Sequence, residues 1–146
     1  MRKMNFRYER KQLGEDLVLW ETHGDPTAAE WSSCLDAVHE WLTEAERRGQ
    51  RLRVLIDSSG MSTVRVQTRR MFAEWRARHL ALIANAVASA AYVADRPLLR
   101  SVITAVFWLA PPVVPVEIVS SRREALIWLG GEVEPVSAER PAPLAP

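Results

Sequence analysis

The chain has 146 residues, 48% of them apolar and 25% charged, with a net charge of +1. This suits one domain with a substantial core, and it excludes a global electrostatic pull toward nucleic acid or an anionic membrane. No run is long and apolar enough to span a bilayer.

The first elements alternate in the strand period. Asn5 to Leu13 alternates around Phe6 and Tyr8, Gly14-Glu15-Asp16 supplies a turn, and Leu17-Val18-Leu19-Trp20 resumes, which predicts a hairpin. Asp25-Pro26 then predicts a helix start, with Asp25 as N-cap and Pro26 in the first helical position. Trp31, Leu35, Val38, Leu42 and Ala45 recur at helical spacing. Arg47-Arg48-Gly49 ends that helix with cations at the negative pole and a glycine cap. Cys34 lies on its apolar side and reads as a small buried hydrophobe. As the single cysteine it excludes an internal disulfide, which fits a reducing compartment. The segment MRKMNFRYERK lacks the apolar stretch of a signal peptide, so a cytoplasmic protein is expected.

Leu52 to Ile56 is a short β-branched strand ending at Asp57, with Ser58-Ser59-Gly60 as a loop. A helix from about Val64 to Leu82 follows, with Val64, Met71, Trp75 and Leu82 on one face and Arg65, Arg69 and Arg76 as a stripe beside it. Asn85 to Val93 is small and apolar, a buried strand. Asp95-Arg96-Pro97 opens a helix that runs to about Leu109, where Pro111-Pro112 stops it. Val116 to Val119 is a strand. Ser120 or Ser121 caps a last helix with Ala125, Leu126, Trp128 and Leu129 inside and Gly130-Gly131 as terminator. Residues 1–130 form the domain, and 131–146, rich in Pro, Ala and Glu, form a disordered tail. The order is ββαβαβαβα, an α/β fold with a mixed sheet and right-handed crossovers.

This order, over residues 5–130, is similar to that of the STAS family of anti-sigma-factor-antagonist domains, in its SpoIIAA-like branch. The strand Val116-Glu117-Ile118-Val119 running into Ser121-Arg122-Arg123-Glu124-Ala125-Leu126-Ile127-Trp128-Leu129 is the most specific part. Asp57-Ser58-Ser59-Gly60 resembles the motif at the start of those proteins' second helix, where a serine is phosphorylated by a partner kinase. In those proteins several loop residues precede the motif; here Asp57 follows Leu55-Ile56 directly. The resemblance implies a bacterial, non-catalytic regulatory module, a kinase-like protein partner, and Ser58 or Ser59 as phosphorylation candidate. An ordinary strand-to-helix turn remains the alternative. A phosphate there would meet a helix N-terminus and find Arg65 and Arg69 within reach.

The helix from Pro97 to Leu109 is apolar around its circumference. Leu98, Leu99, Val102, Ala105, Val106 and Leu109 cover the sheet; Ile103 and Phe107 lie on another side, and Trp108 on a third. The excess predicts a partner surface, a homodimer interface or the lid of an apolar pocket. The expected partner-binding residues are therefore Asp57, Gly60, Arg65, Arg69, Ile103, Phe107 and Trp108. A small apolar, lipid-like ligand between this helix and the sheet is the second reading, since lipid-binding domains of related fold exist. The arginine stripe reads as a solvated face or an anion contact. His23, His39 and His79 stand far apart in sequence, none at metal spacing. Asp57 is the one suggestively placed acid and lacks an obvious base, so no catalytic residue, metal or cofactor is expected.

Overall fold

The computed structural model describes residues 5–130; the expected tail falls outside them. A five-stranded sheet runs in the order β1 (Arg7–Gln12), β2 (Leu17–Gly24), β3 (Leu52–Met61), β4 (Val87–Val93), β5 (Val116–Val119). β1 pairs antiparallel with β2, and every later pairing is parallel. The helices between them are α1 (Ala28–Arg47), α2 (Val66–Arg78), α3 (Leu80–Ala86) and α4 (Pro97–Leu109), followed by α5 (Arg122–Leu129).

Because side chains alternate across a strand, each inner strand feeds two cores. Val18, Trp20, Ile56, Ala90 and Tyr92 meet Trp31, Leu35, Val38, Trp75, Ile83, Leu99 and Ile103 of α1 to α4. Among the described residues, Leu17, Leu19, Leu55, Ala91, Val93 and Val119 meet Ala125, Leu129 and the half-buried Leu126 of α5. Among the described residues, four helices therefore cover one face, and one eight-residue helix covers the other. That helix is fastened at both ends. Ser121 caps its start by accepting from the Glu124 amide. At its end Arg53 Nη1 donates to the Leu129 carbonyl at 2.7 Å while its Nη2 reaches Asp16 Oδ1, also at 2.7 Å.

Several expectations from the sequence are corrected. β2 continues past Trp20 to Gly24, because the ladders to β1 and β3 carry its polar end. α1 is capped by Thr27, not Asp25. Thr27 Oγ1 accepts from the Glu30 amide and the Glu30 carboxylate accepts from the Thr27 amide, a reciprocal capping box. Asp25 is engaged elsewhere, accepting from Thr63 and Arg65 across to the segment before α2. The helix expected over Val64–Leu82 is two helices, broken at His79, whose ψ of 31° leaves the helical path. The break lets Ile83 and Ala86 sink into the core beside α1. The following strand starts at Val87, not Asn85, and Trp128 stands 38% exposed.

Gly24 sits at φ +95°, and a Cβ there would lie 2.2 Å from the Asn5 carbonyl oxygen. Both the backbone angle and the close approach demand glycine. Cys34 is buried, and burial pushes its thiol up to about 12, slightly opposed by the nearby Trp20 indole.

Candidate functional site

β3 does not end at Asp57. Ser58, Ser59 and Gly60 continue it to Met61, with His23 opposite Gly60 and Gly24 opposite Met61. The four residues therefore stand on a strand near its carboxyl end rather than in a loop, and α2 begins only at Val66. The helix N-terminus expected beside the serines is not there. Alternation sends their side chains to opposite faces. Ser58 points toward the four-helix side, where Thr22 Oγ1 donates to its oxygen at 3.0 Å. Ser59 lies with Asp57 on the α5 side, its hydroxyl and amide both donating to Asp57 Oδ1. Gly60 leaves room for a neighbour: a Cβ there would lie 2.1 Å from His23 Nδ1.

Asp57 and Glu21 are directly opposed on β3 and β2, and both are buried. Two adjacent carboxylates at low exposure need countercharge. Arg122, the first residue of α5, supplies it: Nε donates to Asp57 Oδ2 at 2.6 Å and Nη2 to Glu21. Lys11 Nζ stands 3.5 Å from Glu21, and His23 Nε2 3.8 Å. Burial alone would raise the Asp57 pKa. The hydrogen bonds from Ser59 and Arg122 outweigh it and hold the carboxyl below its ordinary value. Glu21 follows the same pattern, with burial overcome by Arg122 and then Lys11. Both acids are held ionised, a poor state for donating a proton.

The other candidates separate into buried and open groups. Ile103 is buried and Phe107 half-buried, so they face the sheet rather than forming a second outward side. Phe107 packs edge-on against Tyr92, with ring centroids 5.2 Å apart. Arg76, expected on a solvated stripe, is 4% exposed. Its guanidinium lies 4.7 Å over the Phe107 ring and donates to the Ala110 carbonyl just past α4. Burial lowers the Arg76 pKa, and burial pushes the Tyr92 hydroxyl up to about 12. Arg65 pairs with Asp25 at 2.8 Å, whereas Arg69 and Arg70 have no ion pair among the described residues. Trp108 is 81% exposed, Leu98 75% and Leu109 67%.

Two small adjoining cavities, one of about 50 Å³ under α4 and one of about 60 Å³ under α1 to α3, share Trp20, Ile56, Phe72 and Tyr92. Trp31 borders the first, and its indole N–H has no hydrogen-bond partner among the described residues. His39 and His79, distant in sequence, meet with ring centroids 4.7 Å apart. Among the described residues no group of three or more His, Cys, Asp or Glu is placed to hold a metal, and no helix is long and apolar enough to cross a membrane.

Sequence reasoning missed Glu21 and Arg122. Glu21 lies just past the expected strand Leu17–Trp20. Arg122 lay inside the motif Ser121–Leu129 without a visible partner.

No protein-family model matches the chain, and no curated protein matches it. Solved structures do. An uncharacterized protein of the DUF3478 family with a SpoIIAA-like fold, from Shewanella loihica PV-4, superposes with a TM-score of 0.61 at 13% identity, over 88% of this chain and 97% of that one. An anti-sigma factor antagonist from Mycobacterium paratuberculosis superposes with a TM-score of 0.57 at 9% identity, over 86% and 95%. The chain has the STAS-like, SpoIIAA-like fold expected from its order of elements.

Proposed function

We propose that this domain is a non-catalytic, cytoplasmic regulatory module that binds another protein, using α4 and the carboxyl end of β3 with the segment leading into α2. The observation that carries the reading is α4, which presents Trp108, Leu98 and Leu109 to solvent. Open large apolar groups of this kind mark interaction surfaces. The anti-sigma factor antagonist among the solved neighbours supports the regulatory class.

The reading includes a phospho-switch by a kinase-like partner, and favours Ser59 over Ser58. A phosphate on Ser58 would press against the cavity lined by Trp20, Ile56 and Phe72. On Ser59 it would compete with Asp57 for Arg122, and Arg96, at the start of α4, reaches the same strand end by donating to the Met61 carbonyl at 3.2 Å. The switch would act by loosening the start of α5.

The test is purification of the tagged chain from its native host, with intact and peptide mass spectrometry. A stoichiometric protein partner and phosphate on Ser59 are the expected result. Absence of any protein partner overturns the reading. A small apolar ligand is the second reading, favoured by the cavities between the helices and the sheet. At about 50 and 60 Å³ they fall short of the roughly 150 Å³ that takes up benzene, so a lipid-sized guest requires the covering helices to move. Native mass spectrometry showing a bound small molecule and no protein would establish it.

A further inference from the structure

α2 and α4 lie side by side and enclose an outer groove of about 340 Å³. Ala105 and Val106 line it together with Val66, Trp108 and Leu109, and Arg69 and Arg70 complete the lining. No acid lines it. The two helices carry five arginines (Arg69, Arg70, Arg76, Arg78, Arg100) against one acid, Glu74, in a chain of net charge +1. Of these, Arg69 and Arg70 line the groove, while Arg76 is buried and Arg100 donates to the Ile118 carbonyl. Arg69 and Arg70 are also uncommitted, whereas Arg53, Arg65 and Arg122 each hold a carboxylate.

We propose that this groove binds an acidic, amphipathic segment of a partner protein, seating a large apolar side chain against Trp108 and carboxylates against Arg69 and Arg70. The inference rests on the regulatory-module reading and names the chemistry of its partner. An apolar groove edged by free guanidinium groups matches a helix with one apolar stripe and flanking Asp or Glu. A second copy is disfavoured, because a two-fold contact through this face would set Arg69 and Arg70 against their own copies. The groove accepts an inserted side chain, which a bilayer does not present.

The experiment places p-benzoylphenylalanine at position 108 in the cell that makes the protein, with the same probe at the exposed Ile127 of α5 as control. The expected adduct, at position 108 only, is a net-negative protein segment with apolar residues three and four apart. The partner so identified should then bind the Arg69→Glu, Arg70→Glu chain about 30-fold more weakly, with the thermal midpoint unchanged. An adduct with lipid, with a second copy or with a neutral or basic segment overturns the proposal. So does undiminished binding by the charge-reversed chain, or no adduct when the wild type carries a partner. Those results leave the regulatory module standing. A wild-type chain that carries no protein partner ends both.

Discussion

Glu21 and Asp57 stand directly opposite each other on neighbouring parallel strands, both buried, and share one guanidinium from a helix more than sixty residues further along the chain. Like charges so close are tolerable only while Arg122 bridges them. The arrangement ties α5 to the sheet through charge as well as through Ala125 and Leu129.

Replacing Arg122 tests that bridge. Arg122→Ala leaves two adjacent carboxylates without their main cation and should destabilise the domain by about 2–3 kcal/mol; removing one partner of a fully buried pair costs more, but Arg122 is partly exposed and water screens part of the loss. A denaturant melt measures it. Adding Asp57→Asn to Arg122→Ala should recover part of the loss, since one of the repelling charges is gone. A simple sum of the two single effects would show that the bridge does not operate.

The same pair sets an acid limit. Glu21 and Asp57 hold folded-state pKa values below their ordinary 4.5 and 3.8. As pH falls, the unfolded chain takes up protons first, so the contribution is complete above about pH 4.5 and is lost as pH drops through the depressed folded values. Thermal midpoints between pH 7 and pH 3 should fall steeply for the wild type below pH 4.5. They should fall less steeply for Asp57→Asn; parallel curves would remove Asp57 from the account.

Arg76 offers a test on the opposite face. Its buried guanidinium joins the Phe107 ring to the Ala110 carbonyl. Arg76→Ala removes a buried hydrogen bond and a cation–π contact and should cost about 2–4 kcal/mol. Hydrogen exchange should then quicken at residues 106–110 before it quickens in β3. Uniform acceleration would mean Arg76 supports the whole core instead of pinning α4.

Two glycines separate backbone strain from side-chain crowding. Gly24→Ala puts a Cβ on the Asn5 backbone at a positive φ, and should cost about 1–3 kcal/mol. Gly60→Ala meets only the His23 ring, which can turn aside, so its cost should stay below about 1 kcal/mol. Comparing their melting midpoints decides the matter; equal costs would mean His23 is held as firmly as the backbone.

The alternating order of the elements was legible because local signals agreed with the tertiary outcome: apolar strands, helical spacing over Trp31–Ala45, Ser121 as cap and Gly130 as stop. The candidate site was less so. Ser58-Ser59-Gly60 has the composition of a turn, yet pairing with His23 and Gly24 extends β3 through it, an override of local preference by ladder geometry. The break at His79 has no proline or glycine to announce it. A helical wheel for α4 groups residues but cannot say which arc the sheet will cover, so Ile103 and Phe107 were assigned outward. The Glu21–Arg122 pair spans 101 positions and has no local trace at all.

The uneven covering of the sheet also bears on how the chain folds as it is made. Leu17, Leu19, Leu55, Ala91 and Val93 line a face whose helical cover, Ala125 and Leu129, belongs to α5, the last element among the described residues. During synthesis from the N-terminus that face stays wet until residue 129 has cleared the ribosome, after the four-helix side has its last partners up to Ile118. Arg122 and Arg53 then close the structure late, so a nascent chain halted before α5 would offer a bare apolar sheet to chaperones.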